Sequence, residues 1–466
     1  MINIQNVSFK YSGASLRNLI NFSLKVEKGE CVVLTGESGC GKTCVTRLIN
    51  ALIPHFYEGE LTGKINIEGM DTTTIQPHEL SSKIGSVFQN PRSQFFSLDT
   101  DSEIVFGLEN KGVCYEQIKE RYKKTIEELH IEELKGKNLF ALSGGQKQTI
   151  ALASVYALEP DIFVLDEPSS NLDLEAIEEL RRLLLLMKEQ GKTIIISEHR
   201  LYFLNGIADR IVRIEKGELR NIWTAEEFEK ISKEDYKKLG LRSYTKIPLL
   251  LSEKEPVREE IPVLQVKNLF MGYKKGSPVA SNICFSIYEG EIVGVVGKNG
   301  CGKTTLARTI CGLQNELSGE ILYYGEKISR KKRRNIAYLV MQDPEYQLFT
   351  DSVYQELNLA LFSSKKIDKS MVSYVMDELN LTNYAKYHPM SLSGGQKQRV
   401  TIATAMLRES DVFLFDEPTS GLDYKNMESV ASILQMLARK GKAILVISHD
   451  NEFLMKICTR VIYMDK

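Results

Sequence analysis

Two glycine-rich octapeptides constrain this chain more than any other feature. The stretch Gly36-Glu37-Ser38-Gly39-Cys40-Gly41-Lys42-Thr43 follows an apolar run, Cys31 to Thr35, and precedes residues with helical spacing, Val45, Leu48, Ile49 and Leu52. Strand, glycine-rich loop and helix are the setting that a Walker A phosphate loop requires. Gly36, Ser38, Gly39 and Gly41 would turn backbone amides inward around phosphate oxygens, and Cys44 follows in the first helical turn. Lys42 would reach the β and γ oxygens, the Thr43 hydroxyl would ligate magnesium, and the phosphate charge would sit at a helix N-terminus. The pattern recurs as Gly297-Lys298-Asn299-Gly300-Cys301-Gly302-Lys303-Thr304, continued by Thr305, behind the strand-like Ile292 to Val296.

At 466 residues the chain holds two or more domains, each with its own core, and duplication explains the recurrence economically. Lys and Arg number 60 against 61 Asp and Glu, for a net charge of -1, which gives no reason to expect binding to nucleic-acid phosphates. The basic run Arg330 to Arg334 reads as a solvated face. The eight cysteines form no CxxC pair, and Cys40 and Cys301 lie inside the phosphate loops, so reduced thiols in the cytosol are expected. Met1 to Val7 reads as a short strand rather than a signal peptide. The sequence has no uncharged apolar run of about 18 residues, the length that spans a bilayer. A membrane role is therefore expected to come through a partner.

Taken in order, the motifs come in pairs. Tyr11 and Tyr273 stand ahead of the two phosphate loops, where an aromatic either stacks on an adenine ring or packs at a turn. Gln89-Asn90-Pro91-Arg92-Ser93-Gln94-Phe95-Phe96 leaves a strand edge and matches Gln342-Asp343-Pro344-Glu345-Tyr346-Gln347-Leu348-Phe349. From such a position a glutamine reaches a metal or an attacking water, and the proline stops the strand. Charge-alternating residues from Glu116 to Glu133 predict a solvent-exposed helical subdomain. Ser143-Gly144-Gly145-Gln146 and Ser393-Gly394-Gly395-Gln396 open helices with a serine cap and free amides, suited to a phosphate approaching end-on. The strands Ile162 to Leu165 and Val412 to Phe415 end in Asp166-Glu167-Pro168 and Asp416-Glu417-Pro418, the Walker B form. Asp166 and Asp416 would hold the magnesium shell, with Glu167 and Glu417 where a general base for water belongs. Two further strands lead to His199 and His449.

From Leu142/Leu392 to Arg210/Arg460 the offset between copies stays at 250 residues; it is 253 at the glutamines and 261 at the phosphate-loop lysines. A whole domain is repeated, with length changes confined to loops and the helical insert. The boundaries read as a first domain over 1–222, a charged, partly helical linker over 223–261, and a second domain over 262–466.

Phosphate loop, glutamine loop, Ser-Gly-Gly-Gln signature, Walker B with glutamate and switch histidine, in this order and twice, resemble the ATP-binding cassette ATPases. The resemblance implies an α/β fold with two tandem P-loop nucleotide-binding domains, each a RecA-like core with an antiparallel β subdomain and a helical subdomain. It implies ATP and Mg2+ as ligands, with Thr43, Gln89 and Asp166, and Thr304, Gln342 and Asp416, at the metal. It further implies that two cassettes pair head to tail, so that Lys42, Thr43, Gln89, Asp166, Glu167 and His199 work with Ser393 and Gly395. Lys303, Thr304, Gln342, Asp416, Glu417 and His449 would then work with Ser143 and Gly145. The linker makes the pairing intramolecular.

Within the family, Gln-x-Pro-x-x-Gln-x-Phe and Glu198-His199-Arg200 are similar to ATPases of energy-coupling-factor importers of vitamins and transition-metal ions. The implied partners are a transmembrane coupling component and a substrate-binding component, at the cytoplasmic face of the cell membrane. Thr149 stands where the second copy has Arg399, and Asn171 where it has Gly421, which puts equal activity of the two sites in question. Phe95, Phe96, Leu348 and Phe349 are expected either to dock a membrane partner or to pack in the core. The alternative function is a soluble twin-cassette ATPase acting on ribosomes or nucleic acid. The long coiled coils, zinc-cysteine inserts or basic linker usual in such proteins are not seen in the sequence.

Overall fold

A computed structural model describes all residues except 15, 171, 256–257, 274–277, 363–369 and 465–466. The chain divides into two compact units, Met1–Lys246 and Ile247–Lys466. In the first, a six-stranded sheet runs in the order Glu218–Thr224, Arg210–Glu215, Cys31–Thr35, Thr193–Ser197, Ile162–Asp166, Ile84–Val87. All neighbours are parallel except the edge strand Glu218–Thr224. A second, antiparallel sheet has the order Leu19–Val26, Ile2–Tyr11, Gly59–Ile67, Met70–Asp71. The N-terminal strand is longer than Met1 to Val7, running Ile2–Tyr11 through a bulge with Asn6 at φ 48°.

Every residue of Cys31–Thr35 is buried, as expected of a parallel strand covered on both faces. Alternate side chains point to different cores. Val32 and Leu34 join the antiparallel sheet and the helix Lys42–Ile49. Cys31 and Val33 join the opposite layer, which holds the helices Thr100–Asn110, Tyr115–Leu129, Gly144–Tyr156 and Leu174–Glu189.

The second unit repeats this plan. A parallel sheet runs Ala337–Val340, Val412–Asp416, Ala443–Ile447, Ile292–Val296, Arg460–Tyr463, beside the antiparallel strands Ala280–Ile287, Leu264–Met271, Glu316–Tyr323 and Glu326–Lys327. In both units an arginine at the start of the last parallel strand ties the two sheets together. Arg210 pairs with Glu30 and donates to Lys25 O; Arg460 pairs with Glu291 at 2.8 Å and donates to Ser286 O.

The stretch beyond Thr224 is structured. Phe228 of the helix Ala225–Glu229 and Tyr244, beyond the helix Lys233–Lys238, are buried in the core of the first unit, while Ser252 O accepts from Val461 N in the second. The basic run is not merely a solvated face. Arg330 and Arg334 donate to Gly312 O beyond the helix Lys303–Ile310, and Arg333 is buried on Glu316. Cations are favoured there because the last helical carbonyls lack partners. Among the described residues no helix is long and apolar enough to cross a membrane.

Candidate functional site

Each phosphate loop joins a central strand to a helix that starts at its lysine, Lys42 or Lys303. Gly36 and Gly297 sit at φ 143° and 154°, and a Cβ there would lie 2.1 Å from Ile214 O and 2.4 Å from Met464 O. Only glycine lets the loop turn so close to the neighbouring chain. Gly36→Ala is therefore expected to lower the unfolding free energy of the first unit by about 2–4 kcal/mol and to weaken nucleotide binding. Urea unfolding and titration with a fluorescent nucleotide check both effects.

Lys42 Nζ donates back across the loop to Gly36 O and Glu37 O at 3.0 and 3.1 Å. Lys303 Nζ does the same to Gly297 O and Lys298 O at 2.6 and 2.8 Å. A buried ammonium needs partners, and phosphate oxygens are a better set than carbonyls. The next residue supplies a hydroxyl to the Walker B aspartate: Thr43 Oγ1 to Asp166 Oδ1 at 3.4 Å, and Thr304 Oγ1 to Asp416 Oδ2 at 2.7 Å. Burial raises the pKa of both aspartates; Glu167 adds to the effect at Asp166, and the Thr43 and Thr304 hydroxyls oppose it. One hydroxyl and one carboxylate beside a phosphate cradle fit Mg2+, which keeps several waters and takes few protein oxygens. Thr43 with Asp166, and Thr304 with Asp416, would hold the ion, which would supply positive charge to offset that of the phosphates.

The strands ending at Asp166 and Ser197 are adjacent and parallel, which brings Glu167 beside His199. Glu167 is gripped from two sides: Gln89 Nε2 donates to one carboxylate oxygen at 2.8 Å, and His199 Nε2 lies 3.2 Å from the other. In the second unit His449 Nε2 lies 3.5 Å from Glu417, and the Ser448 hydroxyl also reaches that carboxylate at 3.4 Å. Gln342 is exposed just beyond the corresponding strand. The second glutamine of each loop motif acts like one more strand residue. Gln94 bonds Phe88 N and Ser86 O, and Gln347 bonds Met341 N and Leu339 O.

Ser143 and Ser393 occupy a separate locus, exposed at the N-termini of the helices Gly144–Tyr156 and Gly394–Met406. Each caps its helix by accepting from a glutamine amide, Gln146 N or Gln396 N. Gly145 is buried and Gly395 half-buried in those first turns. The two tyrosines differ. Tyr11 is half-buried between Phe9 and Tyr57, its hydroxyl taken by Arg47 at 2.8 Å and Cys44 at 3.4 Å, whereas Tyr273 is exposed with its hydroxyl 3.4 Å from Thr305.

Two features were not read from the sequence. Buried Glu103 accepts the amides of Phe96 and Ser97, and buried Glu356 those of Phe349 and Thr350, so each glutamine loop is pinned to the helix after it. The retained 253-residue offset between these two glutamates is the signal that could have found them. The departure at Thr149 is compensated. Arg399 donates to Leu379 O at the end of a helix, and in the first unit the matching carbonyl, Leu129 O, is bound by Arg182 instead. Asn171 lies outside the described residues.

The ABC transporter family matches residues 19–170 and 280–420. An ABC transporter ATP-binding protein of Treponema denticola is 47% identical over all of this chain and 95% of its own length. An HMP/thiamine import ATP-binding protein, YkoD of Bacillus subtilis, is 31% identical over all of this chain and 90% of its own. The structure of ribosome-bound archaeal Pelota and ABCE1 contains a chain with the same fold, at a TM-score of 0.70 and 21% identity, covering 98% of this chain and 76% of that one. Two matched segments, relatives aligned along the whole chain and a repeated phosphate-loop architecture together mean that the chain belongs to the ABC transporter family, as a twin-cassette ATP-binding and ATP-hydrolysing subunit.

Proposed function

We propose that this subunit is the motor of an energy-coupling-factor type importer of a vitamin or transition-metal ion. It works at the cytoplasmic face of the cell membrane with a transmembrane coupling component and a substrate-binding component. ATP binding closes two composite sites, Lys42 to His199 with Ser393 and Lys303 to His449 with Ser143, and hydrolysis reopens them. The covalent link through residues 223–261 keeps one cassette at high effective concentration for the other. The observation that carries the reading is the glutamine loop. In both cassettes the same motif is zipped to the strand edge by its second glutamine, pinned by a buried glutamate, and ends in an exposed phenylalanine, Phe96 or Phe349. A loop that joins a γ-phosphate sensor to a rigid apolar tip suits force transmission to a partner. The name of the Bacillus subtilis relative, an importer ATPase, agrees.

The apolar pairs divide between the two readings open in the sequence. Phe95 is partly buried against the core and Leu348 is buried, whereas Phe96 and Phe349 are about three-quarters exposed, at 75% and 76%, and are the better placed to meet a partner. Phe96→Glu with Phe349→Glu is expected to cut recovery with membranes by more than about tenfold, because aromatic anchors at interface centres are worth ~2 kcal/mol or more each. Melting temperature and ATP binding should be unchanged. A double variant that stays with its membrane subunits sinks the docking assignment. Recovery of the wild-type chain with ribosomes instead of membranes favours the soluble twin-cassette alternative.

A further inference from the structure

The catalytic carboxylates are held in an unfavourable backbone conformation. Glu167 and Glu417 sit at φ 46° and 49°, the left-handed region that costs a non-glycine residue about 1–3 kcal/mol and persists only where the surroundings over-determine it. Part of the constraint is backbone. Glu167 N donates to Ser197 O at 2.8 Å and Ser170 N to Glu167 O at 3.2 Å; Glu417 N donates to Ile447 O at 2.9 Å and Ser420 N to Glu417 O at 3.3 Å. These bonds end with the last paired residues of the two adjacent strands.

Beyond them each cassette has a buried side-chain tie, and the two ties are built differently. In the first, Ser169 Oγ donates to Glu198 Oε1; in the second, Thr419 Oγ1 donates to Asp450 Oδ2 at 3.0 Å. All four residues are at most 5% exposed. At the constant offset of 250, Ser169 corresponds to Thr419, but Glu198 corresponds to Ser448 and Asp450 to Arg200. The acceptor therefore precedes the histidine in one cassette and follows it in the other. We propose that Glu198 and Asp450 are positioning residues that fix the catalytic glutamate against the switch histidine in their own cassettes, one contact reached from opposite sides of that histidine. The tie bridges the open ends of two neighbouring strands, one carrying the glutamate and the other the histidine, and so prolongs the sheet past its last backbone bond. Without it that constraint on the two ends is lost, and a displacement of about 1 Å at a reacting group costs roughly 10²-fold in rate.

The inference rests on the reading that Glu167 carries hydrolysis at the first site. It is tested in the full chain with Glu417→Gln present, so that turnover reports the first site alone. Glu198→Ser is expected to lower kcat for Mg-ATP by about tenfold or more with KM within about twofold, the pattern of a group that matters in the transition state rather than in binding. Glu198→Gln keeps an acceptor for Ser169 and is expected to retain kcat within about threefold. Glu198→Ser with Arg200→Asp rebuilds the arrangement of the second cassette and is expected to recover most of the lost rate. Unchanged kcat in Glu198→Ser overturns the proposal. So does a loss of rate that the double variant fails to rescue and that a lowered melting temperature explains. If Glu167→Gln in the same background leaves turnover intact, it is the assignment of Glu167 that fails.

Discussion

Replacing Glu167 and Glu417 together by glutamine is expected to slow ATP hydrolysis about 10²- to 10⁴-fold while leaving ATP bound. Each carboxylate stands one residue beyond the aspartate that faces the phosphate-loop threonine, and beside a histidine of the adjacent strand, at 3.2 Å and 3.5 Å. Glutamine keeps the length of the side chain and an acceptor oxygen for Gln89 or the histidine, but it cannot take a proton from water. The loss therefore falls on chemistry and spares the binding of nucleotide by Lys42, Lys303 and the loop amides. Phosphate release in the assembled transporter and retention of labelled ATP on the purified protein measure the two halves of this statement. Wild-type turnover in the double variant removes both glutamates from the role of base.

A second large effect concerns pH. The Glu198 carboxyl is raised from its ordinary 4.5 to about 8, chiefly by burial; the Ser169 hydroxyl and Arg200 act to lower it, and the neighbouring Glu167 adds to the rise. Glu198 Oε2 has no hydrogen-bond partner among the described residues. The unfolded chain releases this proton near its ordinary value, whereas the folded chain keeps it to about pH 8. The stabilisation is therefore complete below the unfolded pKa and is lost as pH rises through the folded one. The loss is about 1.4 kcal/mol per unit, with an upper limit of ~5 kcal/mol. Glu198→Gln cannot ionise. The variant is expected to match the wild-type slope below about pH 5 and to gain progressively on it up to about pH 8–9, measured as the urea midpoint of the first unit. Parallel curves for the two proteins across that range would show that Glu198 ionises in the folded state as freely as in the unfolded one.

What could be read from the sequence is local along the chain. A phosphate loop is eight consecutive residues between a strand and a helix. A Walker B strand is an apolar run closed by acids, and a capped signature helix is announced by Ser-Gly-Gly-Gln. Each needs only its neighbours, because the constraint is on backbone turn, strand burial or helix end. Repetition at nearly constant offset then identified a duplicated domain without any knowledge of packing.

Tertiary structure decided how side chains far apart in the sequence share a contact. Within one apolar pair it buried Leu348 and exposed Phe349, since a loop pinned at both ends by Gln347 and Glu356 turns successive residues to opposite sides. It set Tyr11 beside Phe9, Tyr57 and Arg47, contacts that residue spacing alone does not reveal. It also showed that apparent departures between the copies are exchanges of position: Arg182 binds the carbonyl that Arg399 binds in the other copy, and Glu198 holds the hydroxyl that Asp450 holds. A buried carbonyl or hydroxyl requires a partner, and the requirement is met by whichever side chain reaches it, from any element packed nearby. Motif order specifies which groups must be present, but only the packed chain specifies which residue supplies them.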